Sequence, residues 1–373
     1  MEEPLDYASS GVDIEKEGAA IARLVDSLKD SERAVGEFGA PVDLPGGFGG
    51  VVEFGNSCLA LATDGVGSKI QIANEIGQLG GIGIDCVAMN VNDLICLGAE
   101  PLAFVDYIAV PEVDLEVHAT LGSSLSEGCS RARVTLAGGE TATLPGIVRE
   151  LDVSGTAMGW FPKGRGITGQ RLEEGDCLIG LPSSGLHSNG YSLVRAVIER
   201  TASSLESDCP FDPTHESRSI ERFQEIRQNV TLGEVLLNPT RIYVRPVIDL
   251  IFSSREEGGI CPPDSIKGIA HITGGGLSNL LRLHDSLGWH IGNPLSAQPE
   301  FRWIAESGGI SDLEMHRTFN MGMGMIIAVS AEFGDLICDW LSSRIHGSKI
   351  VGEVTSNGRV VTHLNPEIVF TKY

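Results

Sequence analysis

Apolar positions along the chain repeat with two periods, and the points where one gives way to the other divide it into elements. Val51 to Thr63 carries apolar, strand-like runs that stop at Asp64-Gly65. Gly81 to Leu97 has helical periodicity, and Gly98-Ala99-Glu100-Pro101 closes it, with glycine after the last turn and proline just beyond. Leu102 to Val110 is rich in branched and aromatic residues and predicts a strand. Asp114 suits the N-cap of a helix running to about Ser130. Val134 to Ala137 predicts a short strand ending in Gly138-Gly139-Glu140-Thr141, and Leu151 to Phe161 predicts another. Ahead of these, the pattern predicts a helix near Ile14 to Leu28 and a glycine-rich loop at Gly46 to Gly50.

A joint follows. Pro162-Lys163-Gly164-Arg165-Gly166 ends one unit, and after Glu173-Glu174-Gly175-Asp176 the apolar run Cys177 to Leu181 restarts the pattern. The expected units are residues 1–165 and 166–373. The second predicts a helix from Tyr191 to Glu199, an exposed polar excursion from Ser203 to Asn229, then further helices and strands. Strands interleaved with helices in both halves predict an α/β or α+β class.

Composition narrows the function. A chain of 373 residues holds two domains at roughly 150 residues each. The net charge of -23 argues against general affinity for nucleic acid or an anionic membrane, and requires local cations around any anionic substrate. No apolar run reaches the ~18 residues of a membrane span. The acidic start lacks the marks of a secretory signal, so a cytoplasmic protein is expected. Eight scattered cysteines without a C-x-x-C pair predict buried reduced thiols, and no H-E-x-x-H suggests zinc. Glycine is in excess: 47 residues, against about 26 at an ordinary usage of roughly 7%. The excess is clustered, which marks tight turns and close approach of backbone to a ligand.

Three of these clusters carry candidate chemistry. The stretch from Ala60 to Ile70, ALATDGVGSKI, has the glycines, hydroxyl and lysine of a phosphate loop. It is not a P-loop, because Ser68 precedes Lys69. On the following helix Asp85, Met89, Asn92 and Asp93 fall at offsets 0, 4, 7 and 8, which share roughly one face at 3.6 residues per turn. Two carboxylates facing a polyphosphate would each cost about 4 kcal/mol at an effective dielectric of 20, so a cation between them is required, and magnesium suits oxygen ligands. Lys69 would grip phosphate directly, Asp64 through metal, and the backbone of Gly65 to Ser68 as a nest. The second cluster, Ser183 to Ser192, is a polar glycine turn opening a helix, which is an anion site by type. It lacks the glycine spacing of a hydrolase elbow. The third, His271-Ile272-Thr273-Gly274-Gly275-Gly276, brings three glycines before LSNLLRL. His187 and His271 are candidate acids or bases.

Taken in order, DGVGSK, GIDCVAMNVNDLICLGAEPLAFVDY, GGETATLPG, SSGLHSNGYSLVR, NPTRIYV, HITGGG and MHRTFNMGMGM resemble the phosphoribosylformylglycinamidine cyclo-ligase (aminoimidazole ribonucleotide synthetase) family from Gly11 to about Met325. The resemblance implies a two-domain α/β fold, with an N-terminal sheet at a homodimer interface and a C-terminal mixed sheet flanked by helices. It implies magnesium and ATP, with formylglycinamidine ribonucleotide as the other substrate. The formyl oxygen is phosphorylated, the amidine nitrogen attacks that carbon, and phosphate leaves. Asp64, Asp93 and Glu140 would hold the metal. Gly65, Gly67, Ser68, Lys69, Asn92, Asp106, Gly138, Gly139 and Thr141 would surround the nucleotide phosphates. His187, Ser188, Asn189, Thr273, Gly274, Gly275 and Gly276 would seat the ribonucleotide, and Lys69, His187 and His271 would be catalytic. Rival readings are another ATP-dependent phosphotransferase of the same superfamily, or a silent nucleotide-binding subunit. The retained Asp64, Asp93 and Glu140 speak against the silent subunit.

Overall fold

The computed structural model describes residues 5–6, 20–21, 23–24, 32–42, 49–217 and 230–373. Most of the helix expected near Ile14 to Leu28, residues 46–48 of the glycine-rich loop and residues 218–229 of the polar excursion lie outside the described residues.

The front half builds one sheet from β1 (Gly50–Phe54), β2 (Ser57–Gly65), β3 (Glu100–Val110), β4 (Thr135–Thr143) and β5 (Asp152–Pro162), in the order β1-β2-β5-β3-β4. Only the β3–β4 pair is parallel. Its helices are α1 (Lys69–Glu75), α2 (Ile82–Cys96) and α3 (Leu115–Ala132). Alternation decides which face of the sheet is covered. Val153, Ala157 and Phe161 of β5 are buried on the helix side. Gly155 lies in the same row because the Phe104 ring fills its space; a Cβ there would stand 2.1 Å from the ring. The other face presents Leu61, Val105 and Tyr107, each about 41–42% exposed.

α2 is the axis of the molecule. Every residue in it except Asp93 is buried, as expected of a helix with apolar residues all round. It packs on the front sheet and α3, and also on the second half. Gly83 lets α3 approach: a Cβ there would lie 2.3 Å from the Leu125 nitrogen. α3 begins as its sequence predicts, with Asp114 accepting from the Glu116 and Val117 amides.

The second half builds a seven-stranded sheet from β6 (Cys177–Pro182), β7 (Ile266–His271), β8 (Gly288–Ile291), β9 (Met323–Val329), β10 (Lys349–Thr355), β11 (Val361–His363) and β12 (Val369–Phe370). The order is β12-β11-β8-β10-β6-β9-β7, antiparallel except between β8 and β11. Its helices are α4 (Tyr191–Thr201), α5 (Leu232–Leu236), α6 (Val244–Arg255), α7 (Pro299–Gly308), α8 (Asp312–Thr318) and α9 (Gly334–Ser342). The sequence after the glycine triplet forms a 3-10 segment, Gly276–Arg282. β4 runs on through Gly138-Gly139-Glu140 instead of stopping at Ala137, because parallel pairing with β3 continues to Thr143. All eight cysteines are free thiols, as their scatter predicts.

Candidate active site

The site begins where β2 ends. Register places Asp64 opposite Gly155, Gly155 opposite Asp106, and Asp106 opposite Gly139. One row of the sheet therefore carries two aspartates separated by glycine, on the face turned toward α2 and α3. Gly139 is needed there, since a Cβ would fall 2.3 Å from Asp106 Oδ1. Burial raises the Asp106 carboxyl above its ordinary range. Asp64 Oδ1 accepts from the Gly65 amide at 2.7 Å, and Asn90 Nδ2 donates to the Asp64 carbonyl at 3.2 Å, tying the strand end to α2. The Asp64 carboxyl is pushed up to about 6, first by burial and then by the Asp93 carboxylate; the Gly65 amide and His271 act the other way.

Asp93 also reaches across the seam between the halves. Its Oδ1 lies 2.8 Å from Nδ1 of the fully buried His271, at the end of β7. An ionised carboxylate only accepts, so Nδ1 carries the hydrogen. Nε2 lies 3.5 Å from Asn92 Nδ2. The result is a carboxylate–imidazole pair built from both halves, beside a second carboxylate.

Three expectations need correction. Glu140 does not join the two aspartates within one chain. It stands opposite Tyr107, which stands opposite Ser154, a row of opposite parity to Asp106 and therefore on the other face of the sheet. Among the described residues no group of three or more His, Cys, Asp or Glu side chains could hold a metal. Lys69 is not turned toward an open phosphate site. It is fully buried, and Nζ donates to Asp85 Oδ1 at 2.9 Å, the His187 carbonyl at 3.0 Å and the Asn238 carbonyl at 2.9 Å. A charge this deep requires a counter-charge, which Asp85 supplies. Asn92 is a clamp: its amide donates to the Arg241 carbonyl at 2.9 Å and its oxygen accepts from the Tyr243 amide at 3.0 Å.

These contacts converge on Asn238 to Val244, NPTRIYV, a segment to which the sequence attached no role. Asp85 accepts from both the amide and the hydroxyl of Thr240, and Ser184 Oγ donates to the Pro239 carbonyl. This loop stitches α1 and α2 to the second half. The available signal was charge in apolar context: Lys69 and Asp85 each sit among apolar neighbours, which calls for partners.

The remaining expected residues fall into two groups. Gly138, Gly139 and Thr141 lie on the exposed edge strand β4 beside Asp106, and Gly67 turns the chain at φ +67° before Ser68, whose Oγ is 3.3 Å from Ser192 Oγ on α4. Across the seam, His187 adopts φ +62°, and its Nε2 accepts from the Ser184 amide at 3.2 Å. Burial, then nearby His271, Arg241 and Lys69, holds its pKa well below the ordinary value, so it is neutral. Its Nδ1 is buried without a partner, as is Asn189 Nδ2. Asn189 Oδ1 abuts Gly274, Ser188 Oγ lies 3.2 Å from Thr240 Oγ1, and the Gly276 amide donates to the Thr273 carbonyl. Gly276 has no room for a side chain, since a Cβ would meet the His316 carbonyl at 1.9 Å. The two polar turns thus meet, with unspent donors between them.

Comparison with known proteins agrees with this architecture. Residues 46–161 match the model of the AIR synthase related protein N-terminal domain, and residues 173–365 that of its C-terminal domain. The phosphoribosylformylglycinamidine cyclo-ligase of Methanosarcina mazei is 40% identical over 96% of this chain and 97% of its own. That of Methanococcus vannielii is 36% identical over 98% of this chain and 97% of its own. Among solved structures, AaThiL complexed with AMPPCP and TMP shares the fold at a TM-score of 0.59 and 14% identity, covering 94% of this chain and 95% of that one. Hydrogenase maturation protein HypE in complex with ATP does so at 0.55 and 16%, covering 92% and 91%.

Proposed function

The chain belongs to the phosphoribosylformylglycinamidine cyclo-ligase family, ATP-dependent ligases of purine biosynthesis, and from that premise we propose how its residues divide the work. The reaction closes formylglycinamidine ribonucleotide to aminoimidazole ribonucleotide, with release of ADP and phosphate. The amide oxygen is a poor leaving group; once phosphorylated it becomes a good one, and the amidine nitrogen displaces it.

The carrying observation is the Asp64–Asp93 pair, close enough for one carboxylate to raise the other, with His271 bonded to it from the second half. Such a pair fits magnesium, which takes one or two carboxylates and completes its shell with water and substrate phosphates. Bound there, magnesium would neutralise the polyphosphate and polarise the transferred phosphoryl group. The edge of β4 and the Gly65–Ser68 turn line the approach for the nucleotide. His271, with Nδ1 donating to Asp93, is the candidate for taking up the proton lost by the amidine. His187 Nδ1–H and the Asn189 amide are donors for the ribonucleotide. Lys69 positions the His187 carbonyl and the NPTRIYV loop.

Residues 1–165 form the nucleotide unit in this reading and 166–373 the substrate unit. A second copy of the chain covers the open face with Leu61, Val105 and Tyr107, which brings Glu140 and the partner face together. No helix among the described residues is long and apolar enough to cross a membrane, and the proposed location is the cytoplasm.

The test is direct. Asp93→Asn should lower kcat by about 10²–10³-fold, the scale of losing one preorganised electrostatic partner, with the melting temperature close to that of the unsubstituted protein. Turnover within twofold would remove Asp93 from the chemistry. Crystals grown with a nonhydrolysable nucleotide and magnesium should show the phosphates at Asp64 and Asp93; a nucleotide lodged elsewhere would overturn the assignment.

A further inference from the structure

A second polar cleft lies away from the Asp64–Asp93 pair, where the C-terminal end of α3 meets the first turn of α6 and the chain just after α9. It encloses about 550 Å³, within the range of small-molecule sites. Its lining includes Arg131, Arg133, Arg241, Arg245 and Arg344 and one carboxylate, Asp249, with the buried Arg241 guanidinium donating to the Pro182 and Ser217 carbonyls. The whole chain has 27 basic residues and a net charge of -23, so this gathering of arginines is set apart from the prevailing charge.

The way these groups are held matters more than their number. Arg133 makes a bidentate pair with Asp249, at 2.8 and 3.0 Å. Arg131 is paired with Glu127 at 2.8 Å. Arg245 and Arg344 are fixed differently. Arg245 donates to the carbonyls of Arg131 and Ser130, and so caps α3. Arg344 donates to the Trp340 carbonyl and to Ser343 Oγ, and its guanidinium lies 3.5 Å from the Trp340 ring centre. Neutral acceptors orient a guanidinium without cancelling its charge.

We propose that this cleft binds a small metabolite bearing two adjacent phosphate groups. The fork of an arginine matches phosphate oxygens bidentately, and two pre-oriented arginines from different elements lining one cleft suit a diphosphate better than a single phosphate. The site joins elements of both halves. It touches the seam through Arg241, whose carbonyl is held by Asn92, next to Asp93.

The probe is inorganic pyrophosphate, titrated calorimetrically into the intact protein with EDTA present, so that metal-dependent binding at Asp64 and Asp93 is silent. One pyrophosphate per chain should bind, and inorganic phosphate about tenfold more weakly, in line with the loss of one charge-assisted contact set. The pair of substitutions Arg245→Gln and Arg344→Gln should weaken pyrophosphate at least about tenfold, while Asp93→Asn leaves it unchanged. Arg245 also caps a helix, so a loss alone could reflect damage. Asp249→Asn separates the cases: it removes the one lining carboxylate, frees Arg133, and should tighten pyrophosphate about threefold. Absence of binding at millimolar pyrophosphate, equal affinity in the arginine variant, or weaker binding in Asp249→Asn each overturns the proposal.

Discussion

Replacing Lys69 by methionine separates an interior cation from a phosphate-gripping one. Methionine keeps most of the stem's packing, so the perturbation is the lost charge and its hydrogens. Asp85 then remains fully buried, with the Thr240 amide and hydroxyl as donors and no counter-charge. The carbonyls of His187 and Asn238 lose their donor as well. Removing one partner of a buried ion pair costs about 3–5 kcal/mol. At this chain length that corresponds to a fall in Tm of about 4–6 °C. The assay is thermal unfolding followed by circular dichroism, alongside KM for ATP. Adding Asp85→Asn to Lys69→Met should recover part of the loss, because an amide tolerates the apolar site better than an orphaned carboxylate. A single variant that melts within a degree or two of the parent, yet shows a tenfold rise in KM for ATP, would refute the reasoning and return Lys69 to the phosphates.

Two further outcomes are expected. His363 has its pKa pushed down to about 4 by burial first and then by His316 and His290, against Asp312. Its unfolded value is about 6.5, so the unfolded chain binds more protons between those limits and stability falls as pH drops through that window. After allowance for solvent screening the effect is about 1–2 kcal/mol, and His363→Gln should flatten the dependence of the urea midpoint between pH 7 and 4.5. For the proposed dimer, Tyr107→Lys on the open sheet face should halve the mass seen by analytical ultracentrifugation while the circular dichroism spectrum is retained; an unchanged mass would remove this face as the contact between copies.

Much of the front half is legible in the sequence because local chemistry decides it. The Asp114 cap, the Gly98 stop and the branched residues of β3 each act within a few residues of themselves. Face and partner are another matter. Asp85 and Asp93 share a helical stripe, yet one serves Lys69 and the other His271, since α2 runs through the interior and its two ends meet different neighbours. Glu140 follows Gly139 by one residue, and that single step puts it on the far side of the sheet. The pairing that sets this parity contains an irregularity between Phe104 and Val105, which no local pattern records. The NPTRIYV loop works through backbone groups for the most part, so its contacts leave little trace in side-chain type.

The dense stitching along that loop bears on how such a chain can be rearranged. A hybrid joining this front half to the rear half of a distant cousin would strand a lysine, an aspartate and an asparagine amide in a dry joint shaped for other partners. The two units are compact enough to look like interchangeable modules, but they would have to be inherited together, and mismatched pairings should fail at assembly before any question of catalysis arises.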